Sequence, residues 1–151
     1  MSVADRLSEL GLELPPVPAP VAAYVPAVRS GAHVYTAGQL PLRDGSLLAT
    51  GKVGAEVTPE TAYDCARQSA LNAVAAVASQ VEDLDAVRVV KVVVFVASTP
   101  DFTRQPAVAN GASELLGAVF GDAGVHARSA VGVPVLPLDA PVEVELVAEV
   151  R

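Results

Sequence analysis

The chain has 151 residues, enough for one domain around one core, and sets 10 Lys and Arg against 17 Asp and Glu, a formal net charge of −7. That balance lacks the basic footprint of a phosphate-backbone binder and argues against nucleic acid as a partner. Hydrophobic residues make up 52% and charged residues 18%, against roughly 25% charged in an ordinary soluble domain, so a lone copy would struggle to hide its apolar surface and an oligomer is expected.

Ser2, Asp5, Leu7 and Leu10 followed by Gly11 predict a short amphipathic helix closed by a glycine, suited to packing or to covering an interface. Residues 12–26 hold Pro15, Pro16, Pro18, Pro20 and Pro26, which block helix and favour an extended arm carrying Tyr24. This divides the chain into an N-terminal helix and arm over residues 1–21 and a domain over residues 22–151. Residues 32–39 (AHVYTAGQ) read as a strand that residues 40–42 could extend. The RDG turn at 43–45 leads into a second strand over 46–50. Thr58 before Pro59 marks a helix start, and Ala62, Ala66, Ala70, Ala73 and Val77 form a small-residue stripe along a helix reaching about Gln80. Residues 87–96 (VRVVKVVVFV) are β-branched enough for a buried central strand. A loop at Asp101 and Phe102 opens a helix over 108–120, ended by Gly121 and Gly124. Two strands follow, over 130–136 and 142–150, separated by a PLDAP turn. Strands, helix, strand, helix, strands is an α+β layout with both helices on one sheet face, leaving an apolar second face for another subunit.

The single cysteine, Cys65, excludes an intramolecular disulfide, and MSVADRLSEL lacks the apolar core of a signal peptide, so a cytoplasmic location is expected. The longest apolar run, residues 86–97, is broken by Arg88 and Lys91 and falls short of the roughly 20 residues that span a bilayer. His33, His126 and Cys65 are scattered without paired spacing, so no metal site is expected. GSLLATGK at 45–52 has five residues between its glycines instead of four, and Val53 stands where a phosphate loop needs a hydroxyl; it reads as a hairpin connection.

Arg128, in HARSAVGV, places a permanently charged bidentate donor at the entry to an apolar strand. It calls for an anion, either a ligand or a structural partner such as Asp122 or Glu143. In VEVELVAEV, Val142, Val144 and Leu146 share one strand face, while Glu143 and Glu145 share the other, partly buried one. A solvated edge strand would give the same pattern. His126 could shuttle protons beside Arg128, although the neighbouring cation disfavours its charged form. Cys65 reads as a small core residue, and Ser129 lacks a nucleophile elbow.

The segment from Ala127 through Arg128 to the Leu136-Pro137 turn, with Glu143 and Glu145 beyond it, resembles the signature of the RidA/YjgF family of reactive intermediate deaminases. Tyr24 ahead of VYTAGQLPL, the VVKVVVFV strand and the Asp101-Phe102 pair agree in order and spacing. The resemblance implies a chorismate-mutase-like α+β fold, a homotrimer whose sheets face inward, and small-molecule clefts between subunits. It further implies hydrolysis of 2-imino acids to 2-keto acids and ammonia without a cofactor, Arg128 gripping the substrate carboxylate and Glu143 positioning water. Tyr24, Ala37, Gly38 and Ala130 fall at substrate-binding positions; alanine at 37 and 130 replaces side chains that are often polar in the family. The second-helix asparagine of many relatives falls on Asn110 by proximity or on Ser113 by counting back from Phe120. A non-catalytic module that binds small carboxylates, and the ribonuclease or translation-inhibitor activity under which relatives are labelled, are the rival implications.

Overall fold

The computed structural model describes residues 1–17 and 23–151. Helix α1 (Val3–Glu9) starts where the sequence predicts. Ser2 accepts the Asp5 backbone N–H at 3.0 Å, and the Asp5 carboxylate returns the contact to the Ser2 backbone. Gly11, at φ 66°, follows its last turn. The helix buries Val3 and Leu7 against the main core. The middle of the proline-rich arm, including Pro18, Pro20 and the proposed division at residues 21 and 22, lies outside the described residues.

Strands β1 (Ala27–Ser30), β2 (His33–Thr36), β5 (Val87–Ala97), β6 (Ala127–Val133) and β7 (Val142–Val150) form one sheet in the order β1-β2-β7-β5-β6. Only the β5–β6 pair is parallel. A two-stranded ribbon, β3 (Leu42–Arg43) and β4 (Ser46–Leu47), turns through Asp44 and Gly45 at φ 52° and 81°, the left-handed conformation that such a tight turn requires. Gly45 thus belongs to this turn, while Gly51 ends elsewhere, its N–H donated to the Asp139 carbonyl. Helix α2 (Pro59–Ala78) has Thr58 as N-cap, its hydroxyl accepting the Thr61 N–H, and helix α3 (Gln105–Phe120) is the crossover between β5 and β6.

Five boundaries differ from the sequence expectation. β2 stops at Thr36 instead of reaching Gln39, because the chain bends there and Gln39 bridges to Val144 instead. β1 falls between the arm expected over residues 12–26 and the strand expected from residue 32, where no element was expected, because it buries only Ala27 and so shows no alternation. The second hairpin strand is two residues long, not five. Helix α3 begins at Gln105, with Pro106 tolerated in the first turn, where its missing N–H has no intrahelical acceptor to satisfy. β6 covers Ala127–Val133, three residues earlier than expected, and stops before Pro134, which has no N–H for the ladder.

Both helices lie on the sheet face that carries Val34, Val89, Val92, Val94, Val144, Leu146 and Ala148, all buried. The stripe expected on α2 is there: Ala62, Ala66, Ala70, Ala73 and Val77 are inaccessible or nearly so. Small residues let the two helices cross closely, and Gly111 on α3 sits against the backbone of α2 at Tyr63 and Arg67. Tyr63 also donates its hydroxyl to the Glu114 carboxylate across this crossing. Nothing among the described residues covers the opposite sheet face. It presents Val28 paired with Tyr35, Val93 and Phe95 on β5, and Val131 on β6, with Glu143, Glu145 and Glu149 along β7. Val28 and Tyr35 are 53% and 49% exposed, a large apolar area to leave in water. No described helix is long and apolar enough to cross a membrane.

Candidate functional site

Register decides where each candidate side chain points. Arg128 is opposite Val92 and Val92 opposite Leu146, both buried on the helix side, so Arg128 and Ala130 project toward α3. Glu143 is opposite Phe95, which is opposite Val131, so its carboxylate belongs to the uncovered face. Within one copy the arginine and the glutamate therefore stand on opposite sides of the sheet.

The Arg128 guanidinium is held by two neutral acceptors. Its Nη1 donates to Asn110 Oδ1 at 2.8 Å and to Ser113 Oγ at 3.1 Å. Neither Asp122 nor Glu143 pairs with it, so the structural ion pair allowed by the sequence is not formed. The choice between Asn110 and Ser113 also dissolves: they lie one turn apart on one face of α3 and reach the same nitrogen. Ser113 Oγ is in turn 2.9 Å from His126 Nε2, and His126 Nδ1 is 2.6 Å from the Gly124 carbonyl. Sequence reasoning gave His126 no such role. The available signal was its spacing, two residues before Arg128 and hence on the same side of an extended chain.

On the other face, Glu143 lies under the bend that leads from β2 into Gln39. A Cβ at Gly38 would meet Glu143 Cδ at 2.6 Å and Cγ at 2.9 Å, so glycine is required for the carboxylate to occupy this place. Gln39 fixes the bend by exchanging backbone hydrogen bonds with Val144 at 2.8 and 2.9 Å, and Ala37 donates its N–H to Pro26 O at 2.8 Å. Burial, and then the nearby Glu145, push the Glu143 carboxyl above the usual carboxylate range. Tyr24, on the segment before β1, is 67% exposed.

A cavity of about 710 Å³ runs between residues 11–17, the β3–β4 turn and α2, and neither it nor two smaller cavities is lined by Arg128 or Glu143. Cys65 is fully buried, and its thiol is pushed up to about 11 by burial and then by Asp64, which fits a core residue and not a nucleophile. Among the described residues no group of three or more His, Cys, Asp or Glu could hold a metal ion.

Comparison with known proteins agrees with this fold. Residues 4–150 match the family described as "YjgF/chorismate mutase-like, putative endoribonuclease". The chain is 47% identical to Protein TCP17 of Trypanosoma cruzi, over 99% of this chain and 94% of that one. The crystal structure of the protein Atu1372 from Agrobacterium tumefaciens superposes with a TM-score of 0.92 at 42% identity, covering 99% of this chain and 92% of that one. TdcF of E. coli, solved with bound serine, superposes with a TM-score of 0.65 at 26% identity, covering 89% and 93%.

Proposed function

Since the chain belongs to the RidA/YjgF family, we propose that it hydrolyses 2-imino acids to 2-keto acids and ammonia, in clefts that form where copies of the chain meet. The carrying observation is the arginine. Arg128 is fixed by uncharged partners and has no carboxylate of its own, leaving a positive fork for an anionic ligand. The serine bound to the E. coli relative supports a small amino-acid-like molecule as that ligand.

The site needs two copies because Arg128 and Glu143 face opposite ways in one. A neighbour laid on the uncovered face would bring its own edge strand β6 toward Glu143, Gly38 and the exposed Tyr24. A trimer closes such a head-to-tail contact and hides the apolar face at the same time. In the cleft, Arg128 of one copy holds the 2-imino acid carboxylate. Glu143 of the other accepts a proton from water as the water oxygen bonds to the imine carbon, and the C=N electron pair moves to nitrogen, which is protonated. The carbinolamine then collapses: the carbonyl forms, the C–N bond breaks and ammonia leaves. A carboxyl held above its ordinary range by burial and by Glu145 suits this exchange of protons. A net charge of −7 weighs against the ribonuclease reading.

The test is ammonia release from 2-aminoacrylate and 2-iminobutyrate generated in situ. Arg128→Ala should abolish turnover, and Arg128→Lys should fail almost as badly, because an ammonium keeps the charge and loses the fork. Glu143→Gln should lower turnover by on the order of 10²-fold or more while a 2-keto acid still binds. Carboxylate binding that depends on Arg128, with no imine hydrolysis by the wild type, would make the protein a binding module instead.

A further inference from the structure

Resting on the reading of Arg128 as a carboxylate anchor, we propose that His126 is a positioning residue, which through Ser113 fixes the edge of the guanidinium offered to the ligand. His126 Nδ1 lies 2.6 Å from the Gly124 carbonyl oxygen, and a carbonyl only accepts, so in the neutral imidazole Nδ1 carries the hydrogen and Nε2 is left as an acceptor. Nε2 lies 2.9 Å from Ser113 Oγ, so the serine hydroxyl donates to it. With its one hydrogen directed to the imidazole, the serine oxygen can only accept from Arg128, and Nη1 stands 3.1 Å away to donate.

The direction of the whole chain is thereby set. It runs from Arg128 Nη1 to Ser113, from Ser113 to His126, and from His126 to the backbone of the turn at Gly121–Gly124. Asn110 Oδ1 takes the second Nη1 hydrogen at 2.8 Å. Of the five N–H donors of a guanidinium, the two on Nη1 are therefore committed, and the three on Nη2 and Nε remain. Nε and Nη2 form one straight edge, and that edge matches the two oxygens of a carboxylate. Without the imidazole, the serine hydroxyl is free to rotate and direct its hydrogen at the guanidinium, so the arginine loses one of its two guides. Arg128 itself stays in place through Asn110, so a loss of aim is expected, not a loss of the anchor.

The experiment compares His126→Ala, His126→Gln, Ser113→Ala and the double variant Ser113→Ala/His126→Ala. Each is tested for binding of a small 2-keto acid by calorimetry and for turnover of 2-iminobutyrate, with thermal melts run alongside. Loss of one guiding hydrogen bond should weaken 2-keto acid binding and raise KM about 3- to 10-fold in His126→Ala, with kcat little changed. His126→Gln restores an acceptor for the serine and should recover most of the affinity. The double variant should bind no more weakly than Ser113→Ala alone, because the histidine acts only through the serine. Additive losses, a Gln variant as weak as the Ala variant, or unchanged binding in His126→Ala would each overturn the role. If His126→Ala does not fold, the ¹⁵N signal of His126 Nε2 in Ser113→Ala decides instead: it should move from its wild-type position, and an unmoved signal refutes the relay. A wild type that binds no 2-keto acid would overturn the reading of the site, and the role of His126 with it, even if the ¹⁵N signal still reports the hydrogen bond to Ser113.

Discussion

Replacing Gly111 by alanine tests the helix crossing on which the placement of Asn110 and Ser113 depends. An added Cβ would meet the Tyr63 carbonyl carbon at 2.9 Å and the Arg67 amide nitrogen at 3.2 Å, with the Tyr63 carbonyl oxygen nearer still. Ordinary contacts need about 3.5 to 4.0 Å, and all of these atoms are backbone of α2, so no side chain can swing aside and the helices must part. Overpacking of this kind costs about 1–3 kcal/mol, and the rigid obstruction points to the upper end, while alanine returns up to about 1 kcal/mol of helix propensity over glycine. A net loss of about 2 kcal/mol corresponds to a melting point about 4–8 °C lower for a domain of this size. Gly117, on the same helix, supplies the control: a Cβ there meets nothing within 4 Å. Gly117→Ala should therefore melt about 2–4 °C higher, from propensity alone. Scanning calorimetry on both variants makes the comparison. A Gly111→Ala protein that melts at or above the wild type would refute the argument that backbone, and not side-chain packing, sets the distance between α2 and α3.

Light scattering after gel filtration should give three times the 15.4 kDa chain mass, and a clean single-chain mass would remove the shared cleft and the proposed site. The Glu143 carboxyl is raised in the fold, so the native state binds its proton more tightly than the unfolded chain does. Its contribution to stability is full below the ordinary glutamate range and is lost as pH rises through the raised value. Glu143→Gln should thus melt higher than wild type near neutral pH, and the gap should close toward about pH 4; a gap that widens in acid would refute the direction of the shift. In Gly38→Ala the Cβ displaces the flexible end of Glu143, so turnover should fall sharply with little change in melting point, and full activity would show that the carboxylate need not stand there. Cys65 should resist alkylation in the native protein and react on unfolding; labelling without unfolding would contradict its burial.

What could be read from the chain alone follows the physics of each element. The β5 run and the Thr58-Pro59 start were plain, because a fully buried strand and a capped helix leave their causes in adjacent residues. β1 and β6 were not. Each is an edge strand with one neighbour, its burial is partial, and alternation fades where one face is not pressed against a core. The candidate site divides the same way. Arg128 and Glu143 stand out as charges in apolar strands, and the family signature marks both. Their placement on opposite faces follows from strand register, which requires knowing that Val92 lies between Arg128 and Leu146. The Ser113 and His126 contacts join residues 13 apart across a helix end, where no periodicity operates.

The strand order carries a consequence for synthesis. β7 follows the other described strands in sequence yet lies in the middle of the sheet, paired on one side with β2 and on the other with β5. Until residues 142–150 have left the ribosome, the early strands have no partner to join them to β5, and the valines of β5 have sheet contacts on the β6 side alone. The nascent chain must therefore keep an incomplete, apolar sheet soluble until those residues emerge. A chain interrupted before Val142 would lose the centre of the sheet and not its margin, leaving two unjoined halves with long pairing edges exposed to other chains.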